Sequence, residues 1–109
     1  MRLRHIRGAE EAIETSPFVI QEPKEHRGHF CELFGNTNPI QIEVGMGKGK
    51  FIMELAQKHP ETNFIGIERY SSVLLRALQK REELEIPNIY FMCVDAKELG
   101  EIFEPGEVE

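Results

Sequence analysis

The fold of this chain is decided by ten residues, Ile40-Gln41-Ile42-Glu43-Val44-Gly45-Met46-Gly47-Lys48-Gly49. The first five alternate apolar and polar side chains, which predicts a short β-strand over 40–44. Three glycines at alternate positions follow, and glycine permits the positive φ angles that let a ligand approach the backbone closely. A helix predicted over 48–59 would point the free N–H groups of its first turn at that ligand. The stretch therefore predicts a strand, a ligand-binding turn and a helix in direct succession.

The remainder of the second half repeats the same alternation. Apolar runs predict further strands at 64–67 and 89–94. Helical spacing predicts a helix between them that begins with Ser71 as its N-cap and ends at about Glu85. A last short helix is predicted over 97–103. Strand, helix, strand, helix, strand is the signature of right-handed crossovers, so the predicted fold class is α/β with a parallel sheet.

The first 39 residues lack this regularity. Residues 1–39 are predicted to form an N-terminal arm, and residues 40–109 a ligand-binding domain on which the arm is laid. A short helix at 9–14 is expected to end at Ser16-Pro17, because a residue before proline disfavours the helical conformation. Turn-forming residues from Gly35 to Pro39 mark the boundary between the two regions.

Acidic side chains stand at the ends of all three predicted strands. Glu43 precedes the glycine turn, Glu68 follows the second strand and Asp95 follows the third. An acid about 20 residues beyond a glycine turn is placed to accept hydrogen bonds from ribose hydroxyls, which is the role predicted for Glu68. Asp95 is placed to accept from an exocyclic amine of adenine, or to cap the helix after it. Three carboxylates favour a ligand with hydroxyls, an amine and positive charge, and S-adenosylmethionine is such a ligand.

The glycine turn fails two phosphate-binding patterns. A dinucleotide fingerprint needs glycine where Lys50 stands, and a P-loop needs serine or threonine where Phe51 stands. A tight turn whose glycines only permit packing is the remaining alternative to a ligand site. No metal site is predicted, because His26, His29 and Cys31 lack the paired spacing and the fourth ligand of a structural zinc centre.

Composition limits the classes of protein that remain. The chain has 109 residues, of which 40% are hydrophobic and 29% charged, which is typical of one globular domain or part of one. No run of 18 apolar residues and no secretory signal are present, so no membrane partner and a cytoplasmic location are expected. A net charge of −6 argues against binding nucleic acid through the whole surface, although it permits a local basic patch.

The chain resembles the bacterial tRNA (guanine-N7-)-methyltransferase family. The similar segments are 42–51, 63–68 and 88–96, together with the opening residues 1–4 and the segment 32–36. The resemblance covers essentially the whole chain. It implies a Rossmann-like class I S-adenosylmethionine-dependent methyltransferase fold that is incomplete, with its three parallel strands in the order third, second, first.

The resemblance also implies a function and its residues. It implies a cytoplasmic enzyme that transfers a methyl group from S-adenosyl-L-methionine to N7 of a guanine in the tRNA variable loop. Independently of the resemblance, local charge makes Arg2, Arg4 and Arg7 candidates to contact tRNA phosphates, and a solvated chain terminus is the alternative interpretation of these residues. The cofactor-binding residues would be Glu43, Gly45, Gly47, Gly49, Glu68, Asp95 and Ala96.

The resemblance departs from the family at the end of the chain. Family members are longer, and a fourth strand and an Asp-Pro-Trp stretch are expected beyond Val108, whereas this chain contains no tryptophan. We therefore expect a cofactor-binding N-terminal half with little activity alone, and catalytic residues beyond Glu109. The uncovered edge of the first strand is expected to pair with a second copy as a homodimer. A methyltransferase of small molecules and a non-catalytic nucleoside-binding module remain as alternative functions.

Overall fold

A computed structural model describes residues 8–108 and shows one three-stranded sheet. Its strands are β1 (Ile40–Val44), β2 (Asn63–Ile67) and β3 (Ile89–Met92), and both neighbouring pairs are parallel. The last residue of β2 pairs with the last residues of β1 and β3, so the three carboxyl ends meet at one edge of the sheet. The predicted α/β class and the strand order are confirmed.

Five α-helices and two short 3₁₀ helices surround the sheet within residues 8–108. The α-helices are α1 (Ala9–Thr15), α2 (Cys31–Phe34), α3 (Lys50–Lys58), α4 (Ser71–Leu84) and α5 (Leu99–Ile102), and the 3₁₀ helices are Pro23–His26 and Ala96–Glu98. Helices α3 and α4 are the crossovers that connect the strands. No helix in this described part of the chain is both long and apolar enough to cross a membrane.

The start of α4 differs from the prediction. Ser71 is the first residue of the helix, and its N-cap is Tyr70, whose side chain makes no capping hydrogen bond. The N–H groups of Val73 and Leu74 donate to the carbonyl oxygen of Tyr70, while the N–H of Tyr70 donates to the Glu68 carboxylate. The N-cap prediction for Ser71 is therefore wrong, because the strand-end acid orders the turn one residue earlier.

Both faces of the sheet are buried. All five residues of β2 are buried, as expected for a central parallel strand. One face, the α3/α4 face, packs on α1, α3 and α4 through Ile13, Ile52 and Leu74. The opposite face packs on the segment around Phe30 and on α5. The chain therefore builds its core from residues before and after the sheet as well as from the crossovers.

The segment after α1 closes the outer edge of β3. The N–H of Ile20 donates to the carbonyl oxygen of Phe91 at 2.7 Å, and the N–H of Phe91 donates to that of Phe18 at 2.9 Å. The Phe18 ring also lies against the buried guanidinium of Arg81, at 3.6 Å from the ring centre. Within residues 8–108, no strand pairs with the outer edge of β1.

Buried amides join the elements at the amino ends of the strands. The side-chain NH₂ group of Asn88, the residue directly before β3, donates to three carbonyl oxygens at 2.9–3.1 Å. Asn63, the first residue of β2, donates to the side-chain oxygen of Asn36 at 2.7 Å. The acceptors of Asn88 are the carbonyl oxygens of Ala56, His59 and Thr62.

A carboxylate near the end of the chain fixes the segment that leads into α2. Oε1 of Glu107 accepts from the N–H of Gly28 at 2.9 Å and from that of Glu104 at 3.0 Å. Its Oε2 accepts from the N–H of Phe30 at 3.2 Å. Gly28 and Phe30 are thus tied to the last residues of the described chain.

Candidate functional site

A cavity of about 450 Å³ opens at the carboxyl ends of the three strands. Its volume falls within the range of about 300–1,000 Å³ that small-molecule ligands occupy. The carboxyl edge is also where open α/β sheets bind their ligands. Five of the seven predicted cofactor residues line it, namely Gly45, Gly47, Glu68, Asp95 and Ala96.

The glycine turn contributes backbone without side chains to this cavity. Gly45 and Gly47 have φ angles of 69° and 63°, in the left-handed region where other residues are strained. A Cβ atom at either position would meet no other heavy atom within 4 Å, so the space above the turn is open. The sequence therefore needs glycine here for its backbone angles, and the absent side chains leave the turn accessible to a ligand.

Gly49 and Met46 belong to the core instead. Gly49 is buried with a φ of 77°, and a Cβ there would come within 2.9 Å of the terminal methyl of Met53. Met46 is buried, and its sulfur lies where a side chain on Gly66 would stand. Gly49, a predicted cofactor residue, does not line the cavity.

Glu68 ties two loops of the site together. Its carboxylate is buried, and Oε1 accepts from the N–H of Gly47 at 3.0 Å while Oε2 accepts from the N–H of Tyr70 at 3.1 Å. A carboxylate has about four lone-pair sites, so each oxygen can accept one more hydrogen bond. Glu68 therefore fixes the glycine turn relative to α4 and still offers acceptors to a ligand.

Asp95 caps the helix that follows it. Its Oδ1 accepts from the N–H of Lys97 at 3.0 Å, and its own N–H donates to Glu98, which completes a capping box. Its Oδ2 lies 3.5 Å from a guanidinium nitrogen of Arg69, which also sits over the Tyr70 ring. Both partners of this ion pair are substantially exposed, so it stabilises the fold by less than about 1 kcal/mol. The capping alternative raised for Asp95 is thus seen, with one oxygen directed to a neighbouring cation.

Arg69 is a cavity residue that the sequence analysis did not select. It follows Glu68 directly and lies between two strand-end acids, Glu68 and Asp95. The sequence feature that could have identified Arg69 is its position directly after the strand-end acid Glu68. Its pairing with Asp95 depends on the register of β2 against β3, which local sequence patterns do not specify.

Glu43 stands at the base of the glycine turn, outside the lining of the cavity. Its side chain is half-buried, and Oε1 is shielded from solvent with no hydrogen-bond donor among the described residues. Burial raises the pKa of this carboxyl above its ordinary value. A shielded acceptor without a donor is thus present beside the turn. Arg2, Arg4 and Arg7, the predicted substrate contacts, lie outside the described residues.

The fold and the cavity define a class of protein. A parallel α/β sheet with an open glycine turn and acids after successive strands is typical of a Rossmann-like, class I methyltransferase-type domain, here with three of its strands. Residues 37–109 match the sequence profile of a family described as "Putative methyltransferase". The chain belongs to this methyltransferase family.

Curated relatives of the chain share one specific name within this family. A tRNA (guanine-N(7)-)-methyltransferase of Lachnoclostridium phytofermentans is 53% identical over 109 residues, which is all of this chain and 51% of the relative. Enzymes with the same name from a Geobacillus species and from Bacillus cytotoxicus are 52% and 49% identical over 110 residues, covering 50% and 51% of their lengths. The family resemblance inferred from the sequence is confirmed, and the chain spans about half the length of these relatives.

Proposed function

We propose that this 109-residue chain forms the cofactor-binding half of an S-adenosylmethionine-dependent methyltransferase that modifies N7 of a guanine in the variable loop of tRNA. The carrying observation is the cavity in which the open glycine turn faces the buried carboxylate of Glu68. The names of the relatives supply the substrate and the position of methylation. A cytoplasmic location is part of the same proposal.

The residues present fit this cofactor. Glu68 keeps acceptor capacity for ribose hydroxyls, and Asp95 with Ala96 borders the place proposed for adenine. Arg69 is compensated by Asp95, so the uncompensated charge of the cavity is the negative charge of Glu68, which suits a cationic ligand. Glu43 stands directly before the turn and is kept as a proposed cofactor residue, although it does not line the cavity. Bound there, S-adenosylmethionine would supply a methyl group activated by its sulfonium.

The chemistry demands positioning from the protein. N7 of guanine is an acceptor lone pair on the exposed major-groove edge of the base, so it needs no deprotonation before it attacks a methyl group. Holding the reacting atoms in line supplies much of the acceleration in such a reaction. The half described here would fix the donor, and residues beyond Glu109 would position the acceptor. Arg2, Arg4 and Arg7 are proposed to contact tRNA phosphates.

The first test is cofactor binding to the 109-residue chain, measured by calorimetry. We expect S-adenosylmethionine to bind, and Glu68→Gln to weaken binding about tenfold because glutamine accepts hydrogen bonds through one oxygen only. The matched control is Glu32→Gln, which neutralises an exposed glutamate on α2 and should leave the affinity unchanged. Equal affinities of the Glu68 and Glu32 variants would contradict the cofactor site.

The second test is methyl transfer in the full-length form, a protein of the relatives' length that contains these 109 residues. Unmodified tRNA and labelled cofactor should yield 7-methylguanosine, identified by mass spectrometry of the digested nucleosides. The isolated 109-residue chain should show little transfer. Transfer to small molecules but not to tRNA would favour the alternative enzyme class, and cofactor binding without transfer would favour a non-catalytic module.

A homodimer through β1 is the last part of this proposal. The backbone groups on the outer edge of Ile40–Val44 have no strand partner within residues 8–108, and an unpaired edge is a template for pairing with another chain. Antiparallel pairing of two identical edges would close a two-fold dimer. Sedimentation of the 109-residue chain at micromolar concentration should therefore show a dimer, and a stable monomer would contradict it.

A further inference from the structure

A second concave surface lies between α3 and α4, and its lining differs from that of the cofactor cavity. This groove has a volume of about 600 Å³. Each helix lines it with one stripe of residues at i, i+3, i+4 and i+7, positions 50, 53, 54 and 57 on α3 and 76, 79, 80 and 83 on α4. Residues at this spacing share one face of a helix, so the two stripes form opposite walls.

The groove is basic in a chain that is acidic overall. Its charged side chains are all exposed, and none makes an ion pair within 4.0 Å with a carboxylate of the described residues. Four positive charges therefore stand against two negative ones, although the whole chain carries a net charge of −6. The basic members are Lys48, Lys50, Arg76 and Lys80, and the acidic members are Glu54 and Glu83.

The groove adjoins the cofactor cavity through the glycine turn. Gly47 lines the cavity and Lys48 lines the groove. Because these residues are consecutive, their Cα atoms are about 3.8 Å apart. A polyanion held between α3 and α4 would thus pass directly beside the place proposed for the methyl donor.

We propose that the α3/α4 groove binds the phosphodiester backbone of the tRNA substrate, an inference that rests on the proposed function. Open, flexible lysines act as point charges, which suits a repeating polyanion better than a single enclosed phosphate. Phosphate contacts of this kind position a nucleic acid without reading its sequence. The concentration of positive charge on one surface of an acidic protein would also orient the approaching RNA.

The test compares two double variants of the full-length form. Lys50→Glu with Lys80→Glu reverses two charges in the groove. Arg27→Glu with Lys58→Glu reverses two exposed charges outside it and changes the net charge equally. Loss of two phosphate contacts should weaken tRNA binding about tenfold at 0.1 M salt and reduce the slope of log K against log salt by roughly 1.5. The control should keep the slope and lose little affinity.

Further readouts separate this inference from the proposed function. The groove variant should raise KM for tRNA while kcat and cofactor affinity stay at parent values, as expected for lost substrate binding. Equal losses in both double variants would report only long-range repulsion and would overturn the groove. Unchanged tRNA affinity would overturn the groove as an RNA-binding surface, and a sedimentation coefficient altered at the same time would assign it to contact with a second copy of the chain. Either result leaves the proposed function intact if the parent methylates tRNA, whereas a parent that neither binds nor methylates tRNA overturns both.

Discussion

Two buried amides, Asn63 and Asn88, lie at the amino ends of β2 and β3, whereas the carboxyl ends of the strands carry carboxylates, of which that of Glu68 is buried. Asn63 and Asn88 donate short hydrogen bonds to neighbouring oxygens of the protein, at 2.7–3.1 Å. Glu68 binds backbone N–H groups but keeps acceptor capacity, and Oε1 of Glu43 has no donor among the described residues. The amide end is neutral and satisfied within the fold, while the carboxylate end holds charge and free acceptors. This difference indicates that the polar side chains at the amino ends stabilise the sheet, whereas those at the carboxyl ends are available to a ligand.

The largest effect is expected from Gly47→Val, at the carboxylate end. A β-branched residue tolerates the φ of 63° badly, and relaxation would move the N–H that donates to Glu68. We expect S-adenosylmethionine to bind about 100-fold more weakly, a loss of about 2.7 kcal/mol. Calorimetry on the 109-residue chain gives the affinity.

The control for this prediction is Gly35→Val. Gly35 has a φ of 72° and, like Gly47, open space within 4 Å of the point where a Cβ would stand, but it follows α2 outside the cavity. Both variants carry the same backbone strain, so both should lose similar stability. If Gly35→Val weakened the cofactor as much as Gly47→Val, the carboxylate end would not be the ligand end.

The second effect concerns the amide end. Asn88→Ala removes the donor shared by three carbonyl oxygens in a buried position, which should lower the free energy of unfolding by about 2–3 kcal/mol. Chemical denaturation measures this loss. Asn38→Ala is the matched control, because no hydrogen bond of the Asn38 side chain is found within residues 8–108, and it should cost far less. Cofactor affinity of the folded Asn88 variant should equal that of the parent, and a large loss would show that the two ends are coupled.

The smallest effect is expected at Glu43, whose Oε1 has no hydrogen-bond donor among the described residues and should make the folded chain less stable at neutral pH. Burial raises the pKa of Glu43 in the folded chain above its ordinary 4.5, so folding favours the protonated form. The contribution of Glu43 is then most favourable below pH 4.5 and is lost as the pH rises through the folded pKa.

Glu43→Gln should therefore be more stable than the parent at neutral pH, by less than about 1 kcal/mol, because the partly exposed side chain is screened. The advantage should disappear in acid. Thermal unfolding between acidic and neutral pH follows it, with Glu82→Gln, an exposed position on α4, as the control. If the parent instead became more stable than Glu43→Gln as the pH rises, the pKa of Glu43 would be lowered on folding and not raised, which would contradict this prediction.

The sheet was predictable because its signals are local. Alternation at 40–44 and the apolar runs at 64–67 and 89–94 mark β1, β2 and β3 to within two residues. The positive φ angles of the glycine turn follow from the residue type itself. Each of these features depends on neighbours in sequence, which is what pattern reasoning detects.

The contacts that cross between elements were not predictable. Glu68 accepts from the N–H of Gly47, 21 positions earlier in the chain, and Arg69 pairs with Asp95 across two strand ends. The closure of the β3 edge by Phe18 and Ile20 depends on tertiary packing of a segment without periodicity. Such pairings are set by register and by competition between donors, and neither leaves a local pattern.

The hydrogen bonds of the Glu107 carboxylate also bear on the order in which the chain folds during synthesis. One of them joins a residue that is synthesised early, Gly28, to one that follows 79 positions later. At about 5–20 residues per second, Gly28 is synthesised roughly 4–16 s before Glu107. Until residues 99–103 are made, Phe30 lacks α5 and Phe103, whose ring centre lies 4.7 Å from its own in the folded chain, so docking of the segment around Phe30 belongs to the late, high-contact-order stage of folding. A nascent chain arrested before residue 99 would leave Phe30 without this part of its cover, within reach of chaperones and proteases.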